Sequence, residues 1–359
     1  MPAISRQARA SSLAIQNRWR KTIAVEAAAS LVLAAACNLL SASEVWAKTP
    51  ARACRISRYT VVALPFLPGV ISPSGVVAGI TDVRRTVVWR RESGTRELAV
   101  PEGFRYTEPA AITKSGDIVV NAFDAQTRVR RAFVYSNSSV TALPGNQTFA
   151  HGVSPSGLIV GEWVPEGKTR SDAVYWSNSG PHSVELCCGG TIKAANKAGD
   201  VVGDAYDEHG RYHAFAWSPS HGQRIVGPAE GYSSAVAIND AGHILLQVGS
   251  DGYLDQAGGL QRLELSSKFY NSVRAMNNCD FVAGGYGPDS DHYRAFVWSA
   301  TGGFQDLNSL IPADSGWTLE SATAINDRGE IVGRGDFHRP TGGDDDDRGF
   351  LLIPQPPNR

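Results

Sequence analysis

From residue 58 onward the chain alternates between short apolar runs and polar turns that contain glycine. The clearest unit, residues 324–333, reads Ala-Ile-Asn-Asp-Arg-Gly-Glu-Ile-Val-Gly, and related units occur six more times. The turn position is glycine in six copies and aspartate in one, at 75, 116, 157, 199, 242, 280 and 329. These positions lie 38 to 49 residues apart, and about 40–45 residues is the length of one propeller blade. The pattern therefore predicts about seven repeats of roughly 42 residues.

The residue types in the turn explain why it recurs. An asparagine or serine opens the turn because its side chain bonds the backbone two residues further on. The glycine three residues later supplies the positive φ that closes a hairpin. Asp280 takes that place in the sixth copy, and aspartate is among the few residues that tolerate this conformation.

A second apolar run follows each turn and is apolar at consecutive positions, as in residues 213–217 and 294–298. A strand that is covered on both faces shows this pattern, and the middle strands of stacked blades are covered in this way. One tryptophan position recurs in these runs, which favours packing between blades, at Trp89, Trp176, Trp217 and Trp298. The fifth repeat, residues 237–265, is the most degenerate, so the blade count depends on it.

The two ends of the repeat region complement each other. The last repeat ends with residues 348–354 and has no outer strand, whereas residues 58–64 form an isolated copy of that strand. Pairing the two would leave the ring without an open edge. We therefore predict an all-β fold: a β-propeller of about seven blades over 58–354, closed by pairing of 58–64 with 348–354, and followed by a tail at 355–359.

The first 47 residues are typical of a secretory signal peptide. A basic head precedes an apolar core at residues 27–40, and small residues at 45 and 47 favour cleavage after Ala47. Two alternatives stay open, an uncleaved anchor and lipidation at Cys37. We expect a secreted or periplasmic protein with a linker at 48–57 and no membrane span in the mature chain, because the core is shorter than the roughly 20 residues that a span needs.

Charge and cysteines narrow the possible functions. Cleavage would remove five basic and two acidic residues, leaving 29 basic against 33 acidic residues, a net charge of −4. This balance excludes nucleic acid as the expected partner, because few cations would neutralise phosphates. The mature cysteines could form two disulfides in three ways: Cys54, Cys187, Cys188 and Cys279. They have no CxxC or CxxH spacing, so we expect no zinc, and no motif indicates a cofactor.

The repeats resemble the HAF repeat family of probable extracellular proteins, named for the sequence His-Ala-Phe that occurs here at 213–215. The stretches 306–312, 316–319 and 322–326 are especially similar to that family. The resemblance covers roughly residues 58–354 and departs most in the fifth repeat. It implies export and a repeat fold, and it implies no established activity or catalytic residues.

Three groups of residues could carry chemistry. Four consecutive acids, Asp344 to Asp347, could form a weak cation site, but they lack the alternate spacing of a calcium loop, which favours a solvated loop tip. A basic residue precedes most of the second apolar runs, at Arg85, Arg131, His213, Arg294 and Arg348. Asp172 at the equivalent place interrupts any anion-binding ring, so we expect these residues to pair with the neighbouring blade. Acids follow four turns, at Asp117, Asp200, Asp280 and Glu330, and we expect them at hairpin tips in water.

No HExxH, His-x-His or GxSxG motif occurs, so the sequence assigns no catalytic, cofactor-binding or metal-binding residue. Trp163 and Trp317 lie outside the recurring tryptophan position and are candidates for a sugar-stacking or partner surface.

We predict an exported, non-enzymatic and monomeric binding or scaffold module. Its protein or glycan partner would lie on one end face or over the central channel. The alternative is a hydrolase or lyase that acts on a carbohydrate or lactone in the channel. A structural or adhesive role without a discrete ligand is a third hypothesis.

Overall fold

The structure is a computed structural model that describes residues 58–355 apart from 125, 138, 187, 229–230, 258, 267–268, 290–291 and 339–345. Several predictions fall outside this part of the chain: the signal peptide with cleavage after Ala47, lipidation at Cys37, the 48–57 linker, most of the 355–359 tail and the acidic loop. Asp344 and Asp345 are not described, and the side chains of Asp346 and Asp347 are not described either.

The described residues form seven four-stranded antiparallel sheets, each of which is one blade. The first described strand is β1 (Tyr59–Leu64). Blade 1 contains β2 (Leu67–Ile71), β3 (Val77–Ile80), β4 (Thr86–Arg90) and β5 (Gly94–Glu97). Blade 2 contains β6 (Tyr106–Ile112), β7 (Ile118–Asp124), β8 (Val129–Tyr135) and β9 (Val140–Ala142). Blade 3 contains β10 (Phe149–Val153), β11 (Ile159–Trp163), β12 (Asp172–Ser177) and β13 (Gly180–Ser183).

The remaining blades follow in chain order. Blade 4 contains β14 (Gly190–Ala195), β15 (Val201–Tyr206), β16 (Tyr212–Ser218) and β17 (Gly222–Ile225). Blade 5 contains β18 (Ser234–Ile238), β19 (Ile244–Val248), β20 (Asp251–Gln256) and β21 (Gly259–Arg262). Blade 6 contains β22 (Tyr270–Met276), β23 (Val282–Gly287), β24 (Arg294–Ser299) and β25 (Gly303–Asp306), followed by a 3-10 helix (Leu307–Leu310). Blade 7 contains β26 (Trp317–Ile325), β27 (Ile331–Phe337) and β28 (Asp346–Pro354).

The predicted fold, an all-β propeller of seven blades, is confirmed. The degenerate fifth repeat forms a complete blade of four strands, so the blade count does not fall to six. In blade 7 the fourth strand is β1, which runs antiparallel to β28, with Tyr59 opposite Pro354 and Leu64 opposite Gly349. This is the pairing of 58–64 with 348–354 that the sequence predicted.

The first strands of neighbouring blades contact one another all the way round, and β26 of blade 7 contacts β2 of blade 1. These first strands are therefore the innermost strands of a ring. Each of them carries a β-bulge, an extra residue without an opposite partner on the second strand, at Gly69, Ala110, His151, Lys193, Val236, Arg274 and Thr323. A bulge bends the strand and re-aims a side chain, and here it does so at one equivalent place in every blade.

The hydrophobic core lies between adjacent blades. Val201 and Val202 are neighbours on β15 and both are fully buried, yet they belong to different apolar clusters. Because successive strand residues point to opposite faces, each valine packs against a different neighbouring blade. This explains why the second strands are apolar at consecutive positions. Trp176 and Trp298 are buried in the same kind of interface, as the recurring tryptophan position predicted.

Among the described residues, no helix is long and apolar enough to cross a membrane. Cys279 is disulfide-bonded. Cys54 and Cys187 lie outside the described residues, so all three possible pairings of the mature cysteines stay open.

Candidate functional site on the loop face

The blades have two different ends. The turns from first to second strand and from third to fourth strand lie at one end, which we call the turn face. The turns from second to third strand and the connections between blades lie at the other end, which we call the loop face. The first-to-second-strand turns all have the same length, whereas the loop-face connections vary, the longest between blades being 307–316. Variable loops on a rigid scaffold are the usual place for binding residues.

The first-to-second-strand turns have the geometry that their sequences predict. In blade 7 the Asn326 Oδ1 atom accepts hydrogen bonds from the Arg328 and Glu330 backbone amides, both at 3.0 Å. Gly329 has a φ of 74° and Asp280 a φ of 57° at the equivalent place in blade 6. Aspartate therefore occupies the left-handed position where the other copies have glycine.

These turns also bond neighbouring blades to each other. The Asn277 Nδ2 atom donates to the Asn326 carbonyl at 3.0 Å, and Asn326 Nδ2 donates to the Ser72 carbonyl at 3.0 Å. The second of these bonds joins blade 7 to blade 1. Exposed residues of the same turns also form hydrogen bonds between blades. Asp240 Oδ1 in blade 5 accepts from the Lys197 amide of blade 4 at 2.9 Å, and the Asp240 amide donates to Asn278 Oδ1 of blade 6 at 2.8 Å. The turn face is therefore mainly structural, because its polar groups are used to hold the blades together.

The four acids that follow the turns do not form a shared site. Asp117 bonds Ser115 within its own turn, and Asp200 bonds Asn196 in the same way. Asp280 Oδ1 accepts from Asn239 Nδ2 of blade 5 at 2.6 Å and lies 2.9 Å from His243 Nδ1. Within the described chain, no group of three or more His, Cys, Asp or Glu residues could hold a metal ion.

Glu330 corrects the prediction that these acids lie in water at hairpin tips. It is only 5% exposed. Its carboxylate accepts hydrogen bonds from Asn326 Nδ2 at 2.7 Å and from Arg328 Nη2 at 2.8 Å. The neighbouring blade covers this side of the turn, and the asparagine and arginine replace the lost water.

Three of the basic residues that precede the second apolar runs pair with acids of their own blade. Arg85 lies 3.9 Å from Glu97, His213 lies 3.4 Å from Asp207, and Arg294 lies 2.8 Å from Asp306. Each pair lies within one blade, so the expectation of pairing with the neighbouring blade was wrong for these three residues. The reason is that the fourth strand or the adjacent turn of the same blade supplies a nearer acid.

Among the innermost strands, the bulge residue of blade 4 forms a polar bridge to blade 5. Lys193 Nζ lies 2.5 Å from Asp204 Oδ2 and donates to Ser234 Oγ at 2.7 Å. Asp204 Oδ1 in turn accepts from the Ala235 amide at 3.2 Å. Burial raises the pKa of Asp204, although the charge of Lys193 lowers it. The side chain therefore links the two innermost strands beside their bulges.

Equivalent polar side chains on the second strands make similar links that sequence reasoning missed. Asn121 exchanges two hydrogen bonds with the backbone of Ala150, both at 2.9 Å. Gln247 Oε1 accepts from the Val273 amide at 2.9 Å. The sequence does show that Asn121, Asp204 and Gln247 occupy one repeat position. Their hydrogen-bond partners could not be identified, because the positions of the β-bulges are not visible in the sequence.

His151, the bulge residue of blade 3, is a half-buried imidazole whose Nε2 atom has no hydrogen-bond partner among the described residues. Burial is the main reason why the pKa of His151 falls to about 4; Lys193 and Arg130 lower it further and Glu162 raises it. Glu162 is itself held by Arg130 at 2.7 Å and by Ser171 Oγ at 2.8 Å. His151 is therefore neutral near pH 7.

The loop face also carries exposed aromatic side chains over blades 4 to 6. They form two groups. The first group is Tyr206, Tyr212 and Tyr232, which are 47%, 38% and 55% exposed, and the Tyr212 and Tyr232 ring centroids lie 5.0 Å apart. The second group is Phe269 and Tyr270, 38% and 56% exposed, at the entry to blade 6. We call these five residues the loop-face aromatic surface.

Trp163 and Trp317, the sequence candidates for a stacking surface, are packing residues. The Trp163 ring lies against Gly145, where an added Cβ would come within 2.4 Å of it, and it packs on the blade 2–blade 3 core. Trp317 packs against Phe337 and Phe350 at centroid distances of 5.3 and 6.2 Å. Trp163 ends β11 and Trp317 begins β26, so neither occupies the recurring tryptophan position within a third strand. The exposed tyrosines were missed because Tyr206 and Tyr212 flank an aperiodic turn and Tyr232 lies in a connection between blades.

No protein-family model and no curated protein matches the chain. The resemblance to the HAF repeat family therefore stays a prediction. Among solved structures, the chain is similar to a streptogramin B lyase, with a TM-score of 0.53 and 10% identity over 83% of this chain and 98% of that one. It is also similar to virginiamycin B lyase from Staphylococcus aureus, with a TM-score of 0.52 and 10% identity over 82% and 99% of the two chains. At these identities the similarity shows the propeller fold alone.

Proposed function

We propose that this protein is an exported, non-enzymatic binding propeller that holds a glycan on its loop face. The observation that supports this function best is the loop-face aromatic surface, in which Tyr212 and Tyr232 lie side by side in water. Large exposed aromatic groups on a soluble protein are typical of interaction sites.

Tyrosine suits a sugar ligand for a physical reason. Its ring is a flat apolar surface that loses little conformational entropy on binding, and its hydroxyl group can bond at the edge of the contact. One face of a pyranose ring presents C–H groups, and the rim presents hydroxyl groups. Tyr206, Tyr212 and Tyr232 therefore offer both kinds of contact that a sugar requires.

The exposed aliphatic residues have a different location, which favours a glycan over a protein. Val83 and Val129 lie on the loop face over blades 1 and 2, and Val140, Ile225 and Leu260 lie on the fourth strands. The core of a protein–protein interface usually combines aromatic and aliphatic anchors. The loop face supplies only the aromatic kind on blades 4 to 6.

Export is part of the proposal. The signal-like segment 1–47 supports delivery outside the cytoplasmic membrane, where extracellular polysaccharides occur. The resemblance to the HAF repeat family supports the same location, and the acidic mature chain disfavours nucleic acid as the partner.

A glycan microarray tests this function directly. The full chain would be produced with its own leader and recovered from the exported fraction, next to the variant Tyr212→Ser/Tyr232→Ser. The matched control Val140→Ser/Ile225→Ser removes similar exposed apolar area from the fourth strands.

We expect wild type and control to bind the same glycans and the tyrosine variant to lose the signal. Binding to no glycan on the array, or capture of a protein instead, would overturn the glycan proposal.

One observation favours a second function, a hydrolase or lyase that acts on a carbohydrate or lactone in the channel. His151 has a neutral imidazole and an unpartnered Nε2 atom beside Glu162 and Lys193. A pKa of about 4 makes this imidazole a weak base at pH 7, however, because efficient general bases have a pKa near the working pH. The binding function therefore has more support.

A screen of lactones and uronic-acid polysaccharides, with His151→Ala as the control, tests the second function. Turnover that the variant loses would establish it. Turnover equal in both proteins, or none in either, would reject it.

A further inference from the structure

A separate pocket of about 370 Å³ lies on the loop face between blades 1 and 2. Its apolar wall includes Ile80, Tyr106, Phe123 and Val129. Its charged lining consists of three arginines and two acids: Arg84, Arg128, Arg130, Glu108 and Asp124. The volume is in the range of pockets that bury small organic ligands.

Two of these arginines have a backbone conformation that favours glycine. Arg84 and Arg128 each have a φ of 57° and lie in the turns on the two sides of the pocket. The corresponding turn of blade 4 has Gly210 with a φ of 74°, and its amide bonds the Asp207 carbonyl as the Arg84 amide bonds Thr81. An L-residue is strained in this region, so an arginine here has a local cost that glycine would avoid.

The guanidinium groups of Arg84 and Arg128 are available to a ligand. Neither makes an ion pair or a side-chain hydrogen bond with another residue in the described part of the chain. Arg130 differs, because it binds Glu162 at 2.7 Å. The charge of Arg84 acts on the nearby Glu108 carboxylate, but among the described residues no ion pair holds either guanidinium group in place, so ligand binding is a physical reason for these side chains.

The pocket is held in place by blade 2. The Thr107 amide donates to the Arg84 carbonyl at 2.9 Å, and Thr107 Oγ1 accepts from the Thr86 amide at 2.8 Å. Thr107 is almost fully buried. The turn that carries Arg84 is thereby fixed against the strand that carries Tyr106 and Glu108, so the site needs little ordering when a ligand binds.

The charge of the lining indicates the charge of the ligand. Arg130 is paired with Glu162, so Arg84 and Arg128 are the cations that face Glu108 and Asp124. Asp124 Oδ1 is bonded to the Gln126 amide at 2.9 Å, and burial raises the pKa of Glu108 while Arg84 lowers it. Glu108 and Asp124 would repel a doubly charged phosphate group more strongly than a singly charged carboxylate. Planar guanidinium groups match the geometry of a carboxylate.

We propose that this pocket binds a monocarboxylate with a ring-sized apolar body, its carboxylate held by Arg84 and Arg128 and its body against Tyr106 and Phe123. The site is independent of the proposed glycan site, because it lies between blades 1 and 2 rather than over blades 4 to 6.

Calorimetric titration with 3-phenylpropionate tests the site, and 3-phenylpropionamide serves as the uncharged probe of the same shape. The informative variants are Arg84→Gly and Arg128→Gly, since glycine adopts the same positive φ and preserves both turns. Arg85→Gln is the matched control: Arg85 is adjacent in sequence, pairs with Glu97 and does not line the pocket.

We expect saturable binding of the carboxylate by wild type and by Arg85→Gln, at least tenfold weaker binding by either glycine variant, and at least tenfold weaker binding of the amide. The glycine variants should unfold at or above the wild-type temperature. The loop-face variant Tyr212→Ser/Tyr232→Ser should bind 3-phenylpropionate normally, which separates this site from the glycan site. No saturable binding by wild type, equal binding of the amide, or unchanged affinity in both glycine variants would overturn the proposal.

Discussion

Val62 lies directly opposite Leu351, so the first described strand of the chain forms the outer edge of the last blade. Leu351 is 1% exposed and belongs to an apolar cluster that also contains Leu64, Val77 and Val87. Residues from blade 7 and blade 1 thus meet in one core. Both ends of the described chain contribute to the same interface.

Truncating Leu64 tests this interface. Leu64 is 1% exposed, so Leu64→Ala should lower the free energy of unfolding by about 2–5 kcal/mol, as buried leucines do when they leave a cavity. The neighbouring exposed position provides the control, because Ala63→Ser should stay within about 0.5 kcal/mol of wild type. Chemical unfolding measures both. Equal stability of the two variants would show that residues 58–64 do not complete blade 7.

The turn-face asparagines are expected to contribute to stability. Asn326→Ala removes the acceptor for two backbone amides and the donor to the Ser72 carbonyl across the blade 7–blade 1 interface. Buried polar groups left without partners cost about 1–3 kcal/mol, so we expect a loss of roughly that size. Exposed Asn278 is the comparison, and Asn278→Ala should cost clearly less. The midpoint of chemical unfolding reports the difference, and equal losses would contradict the structural role of the buried amide.

His151 should make stability depend on pH. Its pKa is about 4 in the folded chain against 6.5 when unfolded, so between these values the unfolded chain takes up a proton that the folded chain does not. The stability that comes from keeping this imidazole neutral is therefore fully present above pH 6.5 and is lost as the pH falls towards 4. At about 1.4 kcal/mol per pKa unit, the loss is on the order of 3 kcal/mol.

The measurement is the free energy of unfolding from pH 7 to pH 4 for wild type and His151→Asn. Carboxylates contribute to the acid destabilisation of both proteins, so the difference between the two curves isolates the imidazole. The wild-type curve should be steeper between pH 6.5 and 4. Parallel curves would show that His151 is not buried as a neutral group.

The disulfide at Cys279 gives a further prediction. A reducing agent should lower the unfolding temperature of wild type, because reduction returns conformational entropy to the unfolded chain; removing a disulfide typically costs about 2–5 kcal/mol. Cys279→Ser should already have the lower temperature and should respond less to the reductant. An equal response of the two proteins would place the stabilising disulfide elsewhere.

The repeat architecture could be predicted because its signals are local and periodic. The Asn326–Gly329 turn and the double-sided apolar strands each follow from backbone geometry and burial, and both recur every blade. The burial of Glu330 could not be predicted, since it depends on the side chains of the adjacent blade. A single sequence also does not reveal that a bulge re-aims His151 and Lys193.

The candidate sites were less predictable for the same reason. Trp163 looked available because it breaks the repeat, yet it packs over Gly145. Tyr212 begins β16 and Tyr232 lies in the connection to blade 5, and the contact between them exists only in three dimensions. The strain at Arg84 could not be predicted either, because an arginine in the sequence gives no sign of a positive φ. The equivalent residue of blade 4, Gly210, has the same conformation without strain.

In the proposed function, the loop face binds the partner while the turn face holds the ring together. The most direct test is a titration of the strongest glycan from the array with Tyr212→Ser/Tyr232→Ser and with Asn326→Ala, both at 25 °C where each is folded. We expect at least tenfold weaker binding for the tyrosine variant and wild-type affinity for the asparagine variant. Wild-type affinity in the tyrosine variant, or a comparable loss in the asparagine variant, would contradict it.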